Sequence, residues 1–64
     1  MRRTQQDRSA STRAALVKAA RELFGTRGYA DVPGDEVVKA AGVTRGALYH
    51  HFGDKQGLFR AVYG

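Results

Sequence analysis

The 64-residue chain contains no cysteine. Neither a disulfide framework nor a thiolate zinc site can therefore staple it, and a reducing, cytoplasmic setting is expected. No apolar run approaches the roughly 20 residues needed to cross a membrane. The start of the chain, Met1-Arg2-Arg3-Thr4-Gln5-Gln6-Asp7-Arg8, is basic and polar and lacks the apolar stretch of a secretory signal. Catalytic signatures are missing as well. The sequence offers no pair of carboxylates on one face, no phosphate-cradling glycine loop and no nucleophile beside a base. No enzyme activity and no cofactor are expected.

Acidic residues are scarce, six against eleven lysines and arginines, for a net charge of +5. Their placement is uneven. Arg2, Arg3, Arg8, Arg13, Lys18, Arg21 and Arg27 crowd the first part against Asp7 and Glu22 alone. Asp31, Asp35 and Glu36 outnumber Lys39 in the middle, and Arg45, Lys55 and Arg60 outnumber Asp54 at the end. A surplus of this kind suits a polyanion, either a nucleic acid or an anionic membrane surface. A chain this short forms one domain and buries only about 60% of its unfolded surface, so its core is small.

Residues 1–11 show no apolar periodicity and read as a flexible basic arm, either an ordinary frayed terminus or a segment that tracks DNA. The ordered domain is expected over residues 12–64. Leu16, Ala20, Leu23 and Phe24 recur at helical spacing, with Ala19 widening the stripe. They predict a first helix from about Arg13 to Arg27, with Thr12 as N-cap and Gly28 as stop. The lone proline, Pro33, suits a first helical position, and Asp35 and Glu36 follow where carboxylates complement the helix dipole. A short second helix is expected from Pro33 to Ala41, with Val37 and Ala41 facing inward. Gly42 ends it and Val43 plugs the turn. Thr44 caps a third helix ending at Phe52, and Asp54 caps a fourth whose stripe is Leu58, Phe59 and Val62. The fold class is all-α: a bundle of three helices plus the start of a fourth, with no strand.

The third helix carries the sharpest signal. At about 100° per residue, Leu48 and Phe52 share the core side. The opposite arc holds Gly46, Ala47 and His50, with Tyr49 and His51 on its flanks and Arg45 at its N-terminal end. Small residues let such a helix approach base edges closely. Arg45 has the fork geometry for guanine O6 and N7, and the Ala47 methyl suits a thymine methyl. Tyr49, His50 and His51 are long enough to reach phosphates, and Thr44 with the free helix amides can hold another. Lys55, in the first turn of the fourth helix, opposes the dipole there and so points to an anionic partner. Blander readings stand beside these. A tyrosine on a helix flank is commonly just half-buried. His50 and Asp54 have the spacing of two metal ligands, yet Asp54 reads better as a cap, and no metal site is expected. The pattern is that of a helix-turn-helix.

At these residues the sequence resembles the tetracycline-repressor (TetR) family of bacterial transcriptional regulators. The resemblance runs from about Thr12 to Val62. It rests on Ala19-Ala20 with Glu22-Leu23-Phe24, on Arg27-Gly28-Tyr29, and on Ala40-Ala41-Gly42-Val43. Its strongest stretch is Gly46-Ala47-Leu48-Tyr49-His50-His51-Phe52, followed by Asp54-Lys55 and Leu58-Phe59.

The resemblance implies that the third helix is the recognition helix of a domain that reads double-stranded DNA. Arg45, Gly46, Ala47 and Tyr49 would face bases, and Thr44, His50, His51 and Lys55 would meet phosphates. Members of the family usually open the second helix with Thr or Ser, whereas this chain has Val32-Pro33-Gly34-Asp35 there, with an acid that would repel the backbone. Members are normally longer homodimers, whose C-terminal helical domain pairs the subunits and binds a small effector. The resemblance thus implies a ligand-responsive repressor on a palindromic operator, with this chain a monomeric DNA-binding piece lacking that second domain. The alternative reading is a helix-turn-helix scaffold that docks a protein or an RNA.

Overall fold

A stretch free of proline and, before Gly25, of glycine builds the longest element. The computed structural model describes residues 5–64, with side chains from Ser9 onward. Helix α1 spans Gln5–Arg27. It starts well before the expected Arg13, and Thr12 lies inside it instead of capping it. Residues 5–11 are therefore helical and not an arm, while residues 1–4 of the expected arm lie outside the described residues. The reason is propensity: Gln, Arg and Ala favour helix without needing an apolar face, so periodicity misses them.

After Gly28 the chain makes a short 3₁₀ turn, Tyr29–Asp31. Val32 follows in extended conformation and is completely buried, a core residue that helical spacing does not reveal. Helix α2 spans Gly34–Ala41, with Pro33 at the N-cap and not, as expected, in the first turn. The proline carbonyl accepts from the amides of Glu36 (3.0 Å) and Val37 (3.4 Å), which needs no amide hydrogen from the ring.

Gly42 makes the turn between α2 and the next helix. Its φ of 73° is left-handed, a region where a side chain is strained. In that conformation Gly42 N–H reaches the Lys39 carbonyl and Val43 N–H reaches the Val38 carbonyl, closing the helix end. Helix α3, Arg45–Phe52, begins on Thr44, whose hydroxyl oxygen accepts from the Ala47 amide at 3.2 Å. Helix α4, Lys55–Tyr63, begins on Asp54, whose Oδ1 accepts from the Gly57 amide at 2.7 Å. Gly57 is required by close approach: a Cβ there would sit 2.0 Å from the Phe52 carbonyl oxygen. A side chain at this position would force α4 away from the end of α3.

Helix α1 touches each of the other three helices and forms the spine of the bundle. No strand occurs among the described residues. Leu16, Ala19, Ala20 and Phe24 of α1 meet Val32, Val37, Val38, Leu48 and Leu58 in one buried cluster. Phe52, expected on the core side, packs half-buried at its edge, as does Leu23. Tyr29 packs its ring on Phe24 and Phe59, with centroids 5.4 and 4.9 Å away, and so seals the end of α1.

A core this small is sensitive to a single truncation. Leu58 is fully buried and anchors α4. Leu58→Ala should cost about 2–5 kcal/mol, a large share of the roughly 3–10 kcal/mol available to a domain of this size. Circular dichroism should show the melting temperature falling by more than about 10 °C. A shift of only a degree or two would mean that α4 is not held by this side chain.

Candidate nucleic-acid interface

Helix α3 is tied down on one side by Leu48, 1% exposed. Its other side is open. Gly46, Tyr49 and His50 are exposed, as are Thr44 and Arg45 at the N-terminal end. Tyr49 is one of two large apolar side chains more than half exposed among the described residues. The His50 and His51 rings meet edge to face, with centroids 5.1 Å apart. Ala47 and His51 differ from the rest. Both are half-buried, and Ala47 packs against the core because it lies only about 100° from Leu48. The helix thus brings Thr44, Arg45, Gly46, Tyr49 and His50 to one accessible surface.

The fold does not need Gly46 to be glycine. A Cβ there would meet nothing nearer than the Thr44 hydroxyl, at 3.8 Å. Internal packing therefore gives no reason for the missing side chain, in contrast to Gly57.

The cations divide into held and unheld groups. Arg45 lies against Asp35, in the first turn of α2. Its Nε donates to Asp35 Oδ1 at 2.7 Å, and Nη2 makes an ion pair with the same oxygen. The hydrogen bond and then the charge of Asp35, with Tyr49 adding, push the guanidinium above its ordinary pKa. Arg27, at the end of α1, pairs with Glu36 and also donates to the Asp31 carbonyl at 2.8 Å. Both carboxylates of the α2 first turn are thus matched by arginines from neighbouring helices.

Lys55 opens α4 and is half-buried. Its ammonium rests 4.1 Å from the centre of the Tyr29 ring, a cation–π contact that restrains the long side chain while leaving its donors free to reach outward. Arg13 lies similarly over Phe52, at 5.1 Å. The sequence offers no local rule for these pairings: Asp35 and Arg45 are ten residues apart, across the turn. Asp35, expected from the sequence to complement the helix dipole and to repel a DNA backbone, is also a partner of the principal candidate base reader.

Among the described residues, no three His, Asp or Glu side chains gather as a metal site. No helix among them is long and apolar enough to cross a membrane. The arrangement of capped turn, buried Leu48, open small-residue face and restrained cations is suited to laying α3 against a polyanion.

Comparison with known proteins points the same way. The sequence model of the family described as "Bacterial regulatory proteins, tetR family" matches residues 16–62. The transposon Tn10 TetC protein of Escherichia coli is 48% identical over 59 residues, covering 92% of this chain and 30% of that protein. The HTH-type transcriptional repressor BepR of Brucella suis biovar 1 is 44% identical over 64 residues, covering 100% of this chain and 30% of the relative. The HTH-type transcriptional regulator AcrR of Shigella flexneri is 42% identical over 62 residues, 97% of this chain and 28% of the relative. The chain spans about three-tenths of the length of these curated relatives.

Proposed function

Because the chain belongs to the TetR family of bacterial regulatory proteins, we propose that it is a sequence-specific reader of double-stranded DNA. It serves a ligand-responsive repressor in the cytoplasm, and its preferred site is one half of a palindromic operator bound by a homodimer. The open face of α3 carries this reading. Arg45, Gly46 and Tyr49 approach base edges, with Ala47 beside them at the margin of the core. Thr44, His50, His51 and Lys55 contact phosphates on either side. We assign effector binding and subunit pairing to segments outside these 64 residues, which span 30% of the length of BepR.

Base contacts and phosphate contacts separate in a simple experiment. Sequences bound by the chain are selected from a random duplex pool, and the winner is compared with random-sequence duplex in gel-shift titrations. Arg45→Ala should weaken binding to the selected site about 5- to 150-fold and leave random duplex nearly untouched. Lys55→Ala should weaken both about equally, since a phosphate contact carries no sequence information. Gly46→Ala adds a separate check, because the fold has room for the methyl and helix propensity favours it. It should keep or raise thermal stability while lowering affinity for the selected site. An unchanged site preference in Arg45→Ala would remove this assignment of the reading face.

A further inference from the structure

The ion pair between α2 and α3 is exposed, with 59% of the Arg45 side chain and 56% of the Asp35 side chain accessible. Pairs this open add little to stability. The α2–α3 junction is already held by Val37, Val38 and Leu48, all buried. An acid beside a DNA-facing surface also works against affinity, because it repels phosphates. Beyond complementing the dipole at the start of α2, a role it shares with Glu36, Asp35 serves neither the core nor general attraction to a polyanion.

Its geometry suggests what it does serve. Asp35 Oδ1 occupies the edge of the guanidinium formed by Nε and Nη2. The second edge, formed by Nη1 and the other hydrogen of Nη2, has no hydrogen-bond partner among the described residues. That edge presents two parallel N–H donors, the pattern that matches guanine O6 and N7. An unrestrained arginine has many rotamers to lose on binding and can turn to any phosphate within reach. One clamped from behind has fewer to lose and one edge to offer.

We propose that Asp35 is a positioning residue that fixes the guanidinium of Arg45, so that its outer edge reads a guanine and is kept from neighbouring phosphates. The proposal rests on α3 being a DNA-reading helix. Asp35 then exchanges affinity for selectivity: it cancels a positive charge at the interface and makes the remaining contact directional.

The test uses the 64-residue chain, the selected duplex, single-base variants of that duplex and a random-sequence duplex. Arg45→Ala first identifies the base pair whose identity depends on Arg45. In Asp35→Ala the preference at that base pair should fall about tenfold, short of the full worth of a bidentate contact. Affinity for the random duplex should rise about two- to threefold, and the salt slope should steepen by about one as Arg45 turns to a phosphate. On the Arg45→Ala background, Asp35→Ala should leave base preference unchanged. Asp35→Asn, which keeps an acceptor without the charge, should fall between. Melting temperatures within about 2 °C of the parent chain exclude a folding defect.

If Asp35→Ala instead strengthens selected and random duplexes alike with the preference intact, Asp35 merely repels phosphate and the proposal is overturned, while DNA reading by α3 stands. A preference that drops equally with and without Arg45 overturns it too, because Asp35 would then act independently of the guanidinium. If the parent chain shows no salt-dependent binding to any duplex, the DNA reading itself falls and takes this proposal with it.

Discussion

Two copies of this chain joined by a flexible linker should bind a duplex with two half-sites about 10²- to 10⁴-fold more tightly than one with a single half-site. The expectation starts from the surface. Tyr49 and Tyr63 are the large apolar side chains most exposed among the described residues, one on α3 and the other at the end of α4, where it packs on Phe59. Leu58 is inside the bundle, while Phe59 and Val62 pack against its core. The 64-residue chain should therefore sediment as a monomer. A single small module covers about 600–1,000 Å² on DNA and binds only modestly above the non-specific level of roughly 10⁻⁴ to 10⁻⁶ M. Joining two copies makes the second contact intramolecular, at an effective concentration near the millimolar range. Half-sites one helical turn apart are separated by about 34–36 Å. A Gly/Ser linker of roughly 40 residues matches that span by its root-mean-square length. If the chain alone is a dimer, or the fusion gains nothing from a second half-site at any spacing, the half-operator reading fails.

How far such surfaces can be read from sequence depends on the range of the interaction. Helical spacing alone picks out Leu16, Ala20, Phe24, Val37, Leu48 and Leu58, which are buried, together with Leu23, Ala41, Phe52, Phe59 and Val62, which are half-buried around them. Capping chemistry does as well. Thr44 and Asp54 accept from the amides three residues on, at Ala47 and Gly57, as their residue types dictate. Val32 escapes because it lies in a non-helical connection, where no periodicity applies, and only the packed bundle shows it to be central. The beginning of α1 escapes for the converse reason, being helical without an apolar stripe.

On the candidate site, the angular arithmetic of one helix shows that Gly46 and His50 are opposite Leu48. It cannot show what the neighbouring helices bring. Ala47 is partly covered by the core, Lys55 is steadied by Tyr29, and Arg45 is clamped by Asp35. Residues spaced three or four apart on one helix pair by local rules. Residues 35 and 45 pair only because Gly42 turns α3 back against α2.

Salt should weaken binding steeply, with log K falling against log salt with a slope of about −3 to −5. Between about 50 and 200 mM salt the affinity should then drop roughly 60- to 1,000-fold. The slope counts cations that displace counterions from phosphates, so the pairing of each arginine matters. Arg27 is engaged by Glu36 and the Asp31 carbonyl and should contribute nothing. Arg45 is offset by Asp35 and should contribute less than one full charge. Lys55 rests on the face of Tyr29 with no carboxylate paired to it among the described residues and should contribute one. A phosphate held by Thr44 and the α3 amides would be held by neutral donors, which would add affinity but little slope. Arg13, Lys18, Arg21, Lys39 and Arg60 make no ion pair among the described residues, and we assign the remainder first to the N-terminal arginines Arg2, Arg3 and Arg8, whose side chains lie outside the described residues. Removing residues 1–8 should therefore flatten the slope by about two to three, and Lys55→Ala by about one. Arg27→Gln should leave it unchanged while lowering thermal stability slightly. A slope near zero in the parent chain would rule out a phosphate-bound complex. A slope that Arg27→Gln flattens as much as Lys55→Ala would mean that the α1–α2 ion pair opens on DNA, and that the division into held and unheld cations is wrong.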